Sequence, residues 1–281
     1  MRDTFVKTLM ELTEERDNLY LITGDLGFGV LKPFWEKFPD RFINAGIAEQ
    51  NMTSVAAGMA LEGNTVFTYS IGNFPTLRCV EQIRNDCAYH DADVKVVCVG
   101  GGFVYGSLGM SHHATEDIAV LRALPNVTVL CPGDLVEAKY ATRAIANHKG
   151  TCYLRLGRGG EKRLHDDLPD FEIGKAVRVR DGEQAAIFST GGILDNATEA
   201  AIRLNEEGIS TAQLSFTTVK PIDKEAIIEY GNKCDIIVTC EEHNIVGGFG
   251  SAVAEVMAEA GVKAKLHRIG LNDMYSSIVG T

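Results

Sequence analysis

Short β-branched runs alternate with segments of helical period along the whole chain, and this alternation restricts the fold more than any other feature. Leu19–Thr23, Thr65–Tyr69, Lys95–Val99, Val127–Cys131 and Cys152–Leu156 read as strands bounded by Gly, Pro or Asn. Glu49–Leu61, Leu77–Tyr89, Ala119–Leu124 and Asp134–Asn147 read as the helices between them. Pro132-Gly133-Asp134 marks a helix entry, with Asp134 in the N-cap position directly after a strand. Met1–Leu12 has the pattern of an amphipathic helix, and with Asp3 and Glu11 it lacks the basic flank and apolar centre of a signal peptide. Such alternation predicts an α/β fold, its mainly parallel sheets flanked by helices.

The pattern breaks between Gly159 and Gly174. Glu161-Lys162-Arg163 and His165-Asp166-Asp167-Leu168-Pro169-Asp170 make an irregular polar stretch suited to an interdomain linker. A second alternating set follows, with Gln184–Ser189, Ala197–Glu207, Ser210–Ser215, Lys224–Tyr230, Asp235–Cys240, Gly250–Ala260 and Ala264–Ile269. The reading is two consecutive α/β domains, residues 1–164 and 165–281, a division within the usual range of domain sizes.

The 281 residues carry 27 Lys and Arg against 38 Asp and Glu, a formal net charge of −11. That balance offers no basic face to DNA, RNA or an anionic membrane surface. No apolar run reaches the roughly eighteen residues of a transmembrane helix. A phosphorylated ligand would have to be held by local groups against the overall field. The seven cysteines lie mostly in apolar runs such as Val96-Val97-Cys98-Val99, without Cys-x-x-Cys or Cys/His zinc spacing. They read as free thiols in a reducing compartment, and the chain as a cytoplasmic protein with no metal ligands of its own.

Four stretches carry residue types suited to chemistry. Asn44-Ala45-Gly46-Ile47-Ala48-Glu49-Gln50-Asn51-Met52 opens a helix on which Met52, Val55, Ala56 and Met59 share an apolar face. Glu49 at its start has two readings. It is a first-turn acid complementing the helix dipole, or a carboxyl in apolar surroundings that keeps its proton and donates to a heterocycle nitrogen. Next, Tyr69-Ser70-Ile71-Gly72-Asn73-Phe74-Pro75 leads into a helix with Arg78, Glu81 and Arg84. Its aromatics either line a pocket for a flat ligand at the carboxyl edge of the sheet or cover the core.

Lys95–Val99 runs into Gly100-Gly101-Gly102 and the loop Tyr105-Gly106-Ser107-Leu108-Gly109-Met110-Ser111-His112-His113. Loops of this length after a strand are usually functional, and glycines permit backbone conformations closed to other residues. The stretch is neither Gly-x-Gly-x-x-Gly opening a helix nor a Walker loop. Of its paired histidines, His112 is the candidate for proton transfer and His113 reads as a solvated neighbour. Finally, Tyr153-Leu154-Arg155-Leu156-Gly157-Arg158-Gly159-Gly160 places two arginines at a strand end. Arg158, followed by glycines, would point into the crevice above the sheet and suits bidentate capture of a carboxylate or phosphate. Arg155 fits a linker salt bridge equally well.

In order and spacing these stretches resemble the transketolase family of thiamine diphosphate enzymes, over nearly the whole chain: a pyrimidine-binding domain followed by the transketolase C-terminal domain. Gly46-Ile47-Ala48-Glu49-Gln50 resembles the motif whose glutamate contacts the cofactor's aminopyrimidine ring. Gly109-Met110-Ser111-His112-His113 resembles Gly-x-Thr-His-Gln, which aligns the substrate-contacting histidine with His112. Leu154-Arg155-Leu156-Gly157-Arg158-Gly159 resembles the strand end whose arginine binds substrate phosphate, here Arg158. Val219-Lys220-Pro221-Ile222-Asp223 and Glu241-Glu242-His243-Asn244 through Gly247-Gly248-Phe249-Gly250-Ser251 match segments of the C-terminal domain. The same resemblance puts Asp25, in Gly24-Asp25-Leu26, near the cofactor and makes Phe74 the aromatic that stacks on the pyrimidine. It adds Tyr69 and Arg78 to the cofactor-binding set and gives Arg2 a share in gripping the substrate phosphate.

The resemblance implies a transketolase that passes a two-carbon ketol unit from a ketose phosphate to an aldose, with thiamine diphosphate and Mg²⁺ as cofactors. Glu49 would activate the cofactor through its pyrimidine nitrogen, and His112 would donate to the developing alkoxide. The Gly-Asp-Gly motif that holds Mg²⁺ and the diphosphate in this family does not occur in the sequence. A separate N-terminal subunit carrying that site is therefore implied, joined to this chain in an α2β2 assembly, and the chain alone would bind the cofactor poorly. The pattern departs from common transketolases around the sugar. Leu108 stands in place of an acidic residue that reads sugar hydroxyls, Gly100–Gly102 in place of a further histidine, and Gly29 in place of a phosphate-binding serine. Other readings share part of the motif set: the beta subunit of a 2-oxoacid dehydrogenase, a deoxyxylulose-phosphate-synthase-like enzyme, and a non-catalytic α/β binding subunit.

Overall fold

The computed structural model describes residues 1–277, so the last four residues of the second region read from sequence lie outside the described part. Among the described residues twelve strands run in chain order as β1 (Leu19–Thr23), β2 (Phe42–Asn44), β3 (Thr65–Ile71), β4 (Val94–Val99), β5 (Val127–Leu130), β6 (Thr151–Leu156), β7 (Val177–Arg180), β8 (Ala185–Thr190), β9 (Thr211–Ser215), β10 (Thr218–Lys220), β11 (Ile236–Asn244) and β12 (Lys265–Leu271). The helices are α1 (Arg2–Glu15), α2 (Lys32–Lys37), α3 (Glu49–Leu61), α4 (Val80–Gln82), α5 (Asp117–Ala123), α6 (Leu135–Asn147), α7 (Leu194–Glu206), α8 (Lys224–Lys233) and α9 (Phe249–Ala260).

Two sheets result, ordered β10-β5-β6-β4-β3-β1-β2 and β12-β11-β8-β9-β7. Every pairing is parallel except β10 with β5 and β7 with β9, so the fold is the predicted mainly parallel α/β arrangement. β4 and β6 are buried at every position because helices cover both faces of the first sheet. Even Lys95, inside β4, is fully buried; its ammonium donates to the carbonyls of His148 (2.7 Å) and Gly150 (2.6 Å) and pairs with Asp93.

α3 occupies Glu49–Leu61 as predicted, but its apolar face is narrower than the sequence suggests. Met52 and Ala56 are buried, whereas Val55 is 38% exposed and Met59 only partly covered. Leu77–Tyr89, predicted as one helix, is helical as far as Ala88 but uneven, with a 3-10 turn at Leu77–Cys79, α4, and a π segment at Ile83–Ala88. The strands not anticipated, β2, β7 and β10, all lie at sheet edges, where one side lacks a partner and the hydrophobic pattern is weak.

β10 is the more consequential of these. It comes from the second half of the chain yet pairs with β5 of the first sheet, Thr218 opposite Leu130. The neighbouring Thr217 carbonyl accepts from Cys131 N–H (2.6 Å), and its hydroxyl donates to Glu137 (2.8 Å). The polar linker is likewise fastened. Glu161 takes the Met1 amino group at 2.6 Å, Lys162 pairs with Asp195 at 2.8 Å, and Tyr140 donates to Asp167 at 2.6 Å.

Its firmest anchor is Asp134. One carboxylate oxygen caps α6 by accepting Glu137 N–H at 2.7 Å; the other accepts the backbone N–H groups of Leu164 and His165 at 2.8 and 2.9 Å, with His165 Nδ1 at 3.1 Å. Burial alone would raise the Asp134 pKa, but His165 and the backbone donors outweigh it and hold it at about 2. Burial opposes charge on His165, yet the hydrogen bond to Asp134 and the charge of Glu137 keep its pKa above the usual 6.5. Asp134, with a depressed folded-state pKa, contributes stability that is complete above 3.8 and lost as pH falls toward 2. His165, with a raised one, contributes below 6.5 and loses its share as pH rises through its folded value. Asp134→Ala is therefore expected to cost about 1–2 kcal/mol at neutral pH. Thermal unfolding measures it, and the gap to wild type should close as the pH is taken down through about 3.

Candidate active site

β1, β2, β3, β4 and β6 run parallel, so the loops leaving their carboxyl ends gather along one edge of the first sheet, where open α/β sheets bind ligands. Glu49 enters this edge as the first residue of α3, and its side chain is 2% exposed. One carboxylate oxygen accepts from Arg78 Nη1 at 2.6 Å; among the described residues the other has only a long hydrogen bond, 3.4 Å, from the Ser70 hydroxyl. Gly24, at the end of β1, lies against the same carboxylate. A Cβ there would come within 3.1 Å of Glu49 Cγ, so glycine leaves the oxygen room for a ligand. The surroundings are thus not the apolar ones of the second of the two sequence readings of Glu49, since a guanidinium and a hydroxyl face the acid.

Arg78 stays 44% exposed while its guanidinium lies 4.6 Å above the half-buried Phe74 ring. His112 meets the same ring edge-on, 5.1 Å between centroids. Its Nδ1 is 3.1 Å from the Ser111 hydroxyl. The turn after β3 supports this contact, because Gly72, at φ +51°, lets the His112 carbonyl sit where a Cβ would be 2.8 Å away. Glu49, Arg78, Phe74 and His112 therefore form a continuous row. Asp25, exposed and next to Gly24, sits at one end of it with φ +58°, held by two hydrogen bonds with the Asn44 side chain.

Tyr69 is not part of this row. Alternate side chains of a strand point to opposite faces, so Ser70 meets Glu49 while Tyr69 stacks on Phe5 of α1 at 6.0 Å, and burial pushes its hydroxyl pKa well up. His113 is also placed differently from its sequence reading. It is 3% exposed, packed edge-on against Phe103 at 4.8 Å with Nε2 3.4 Å from the Gly106 carbonyl, because the loop curls inward there. Nor is Arg155 a linker residue. It is buried, donating to Asp117 at 2.9 Å and to the carbonyls of Ala114 (2.8 Å) and Glu242 (2.9 Å).

Arg158 is exposed and lies 5.3 Å above the ring of Tyr105, a residue the sequence motifs did not single out. Burial raises the Tyr105 pKa; Arg158 and Arg2 draw it back, Arg2 also through a hydrogen bond. Arg2, Tyr105 and Arg158 thus gather two positive charges and a hydroxyl at one place. An aromatic in a glycine-rich loop is the one signal that could have pointed to Tyr105, and Gly100 is the residue whose missing side chain lets its ring lie against the backbone.

All seven cysteines are free and buried, and burial pushes Cys98 and Cys131 up to about 12, so these thiols are unreactive. Among the described residues one group of three, Asp134, Glu137 and His165, comes within metal-ligand spacing. Both Asp134 oxygens there are taken by backbone N–H groups, which makes it a helix cap and linker anchor. Among the described residues no helix is long and apolar enough to cross a membrane.

Fold and site together define an α/β protein with a charged, aromatic-lined crevice at the carboxyl edge of a parallel sheet. Two family models match the chain: transketolase, pyrimidine binding domain, over residues 1–160, and transketolase, C-terminal domain, over residues 174–279. It is 42% identical over 278 residues to a putative transketolase C-terminal section of Methanocaldococcus jannaschii, covering 98% of this chain and 87% of that protein. It is 34% identical over 274 residues to a subunit of the apulose-4-phosphate transketolase of Phocaeicola vulgatus, covering 97% and 87%. A 1-deoxy-D-xylulose-5-phosphate synthase of Thermomicrobium roseum is 35% identical over 284 residues, 98% of this chain but 44% of that enzyme. The solved structure of a split gene transketolase, an inactive beta4 tetramer, superposes with a TM-score of 0.91 at 35% identity, over 98% of this chain and 89% of that one. The chain belongs to the transketolase family and corresponds to its C-terminal section.

Proposed function

We propose that this chain is the C-terminal subunit of a thiamine diphosphate-dependent transketolase, an enzyme that moves a two-carbon ketol unit from a ketose phosphate to an aldose. The observation that carries this reading is the buried Glu49 carboxylate, closed in by Arg78, Ser70 and the bare backbone of Gly24, with Phe74 and His112 beside it. These residues fit an aminopyrimidine. One carboxylate oxygen has only a 3.4 Å partner and is available to the ring nitrogen, and the Phe74 ring offers a face for stacking. When bound, the cofactor supplies a nucleophilic carbon able to cleave a ketose beside its carbonyl.

The roles of this chain's residues follow. Glu49 hydrogen-bonds the pyrimidine nitrogen, and Arg78 fixes the direction of its carboxylate. His112, held through Ser111 and the Phe74 ring, donates to the substrate oxygen on which charge develops, a contribution of about a hundredfold or more. Arg158, Arg2 and Tyr105 take the phosphate at the far end and so position the carbonyl. Arg158→Ala is expected to raise KM for a phosphorylated ketose about 10- to 100-fold, the worth of one charge-assisted contact. An equal effect on the unphosphorylated sugar would remove Arg158 from the phosphate grip.

The diphosphate and Mg²⁺ fall to a second subunit in this reading, in an α2β2 assembly, since the sequence lacks Gly-Asp-Gly. Two lines support it: the Phocaeicola vulgatus relative is one subunit of its transketolase, and the structural neighbour, a split gene transketolase, is inactive as a tetramer of beta chains. Seven free, buried thiols support a cytoplasmic setting. The test is titration of thiamine diphosphate and Mg²⁺ into the chain alone and into its mixture with the diphosphate-binding subunit. Useful affinity and ketose-dependent turnover are expected only of the mixture. Tight binding and full activity of the chain alone would sink the shared-site reading, and turnover requiring pyruvate instead of a ketose would favour a deoxyxylulose-phosphate-synthase-like reaction.

A further inference from the structure

We infer that Glu242, contributed by the second half of the chain, is a positioning residue that clamps the glycine-rich loop and thereby sets His112 and Tyr105 toward the substrate. The inference rests on the transketolase reading of His112. Its geometric basis does not.

The loop is closed at its base by a two-way backbone bridge, Gly102 N–H to Ala114 O (2.8 Å) and Ala114 N–H to Gly102 O (3.0 Å). Phe103, Tyr105, His112 and His113 all lie between those two residues. The first N–H inside the closure, that of Phe103, finds its acceptor in Glu242 Oε1 at 2.9 Å. Gly102, at φ +65°, makes this approach possible: a Cβ there would lie 2.4 Å from Glu242 Cδ, so the glutamate side chain rests flat against that leg of the loop. The other leg is held from the same segment. Arg155 Nη2 donates to both Ala114 O (2.8 Å) and Glu242 O (2.9 Å), and Asn244 N–H donates to Thr115 O at 2.8 Å.

Strand alternation explains why Glu242 and not its neighbours does this. Glu241 points back into its own domain, where it accepts the N–H groups of Phe249 and Gly250 at the start of α9, at 2.7 and 2.8 Å. His243, on the same side of the strand as Glu241, reaches α5 of the first half, where its ring accepts from Ala119 N–H at 3.3 Å. Glu242, between them, faces the loop. From Phe103 the hold passes on by contact: its ring packs on His113, whose carbonyl accepts from Asn73 at 2.5 Å, beside the His112 carbonyl seated on Gly72. A carboxylate receiving a backbone N–H makes a stronger hydrogen bond than a neutral acceptor, which suits it to fixing a loop otherwise rich in glycine.

The experiment compares Glu242→Ala and Glu242→Gln with wild type in the assembled enzyme, reading kcat, KM, cofactor affinity and backbone amide exchange. With Glu242→Ala, kcat should fall about tenfold or more and KM for the phosphorylated ketose should rise. Cofactor affinity, which depends on Glu49 and Phe74 outside the loop, should stay within about twofold. Glu242→Gln, whose amide oxygen still accepts the Phe103 N–H, should recover to within about threefold of wild type. Amide exchange should quicken in Phe103–His113 and not in α3 or α9. Unchanged kinetics in Glu242→Ala, a Glu242→Gln variant as impaired as Glu242→Ala, or exchange that quickens throughout the chain would each overturn the inference. If wild type turns over no ketose, the transketolase reading fails and the positioning of His112 for substrate fails with it; loop-selective exchange in Glu242→Ala would still establish the clamp, and unchanged exchange would remove that too.

Discussion

Glu49→Ala in the assembled enzyme is expected to lower kcat by about 10²- to 10⁴-fold, the usual worth of a group that moves or holds a proton during the reaction. The fold should survive. Glu49 is buried and its partner Arg78 is not, so removing the acid leaves a guanidinium that turns to water and no uncompensated buried charge. Removal also ends the desolvation cost of a buried carboxylate, so thermal stability should hold or rise slightly, as is common where activity and stability compete. Circular dichroism and thermal melts beside single-turnover kinetics read both halves of the result. Turnover near that of wild type in the reconstituted complex would take Glu49 out of the chemistry altogether.

Asp117→Ala is expected to have the largest effect on stability. Asp117 starts α5 and is fully buried; its carboxylate accepts from Tyr153 OH at 2.5 Å and from Arg155 Nε at 2.9 Å. Burial disfavours charge on Arg155, and Asp117 is the chief group that overcomes it, holding the pKa far above the usual 12.5. Without the acid, a buried guanidinium is left unpaired, a loss of about 3–5 kcal/mol. For a chain of this size that corresponds to a fall in Tm of roughly 10 °C. The double variant Asp117→Leu with Arg155→Met should recover most of the loss, since well-packed apolar groups often replace a buried ion pair at little cost. Additive losses in the double variant would show that the two residues do not act as a pair.

Both predictions separate what local pattern conveys from what it does not. α3 is legible to its end residues because its helical period is long and uninterrupted, and the Asp134 cap because Pro132-Gly133-Asp134 is a contiguous signal. Glu49, Phe74, Arg78 and His112, each named from motifs, stand in one row in the structure. The motif reading misplaces Tyr69 by a single residue of strand parity: being adjacent to Ser70 puts it on the other face of the sheet. It misplaces His113 because a histidine in a glycine-rich loop has no periodicity to say which way it faces, and the loop's curl buries it. β2, β7 and β10 escape the pattern because edge strands are short and half-partnered.

The amino-acid order by itself determined the α/β class and the family, because both are written in patterns within one element or in contiguous motifs. Only the tertiary structure decided which groups face one another across the crevice. Arg78 reaches Glu49 from 29 residues away, and Glu242 meets Phe103 across 139. Contacts at such separations depend on how parallel crossovers bring strand ends to a common edge, and that geometry has no local period in the chain.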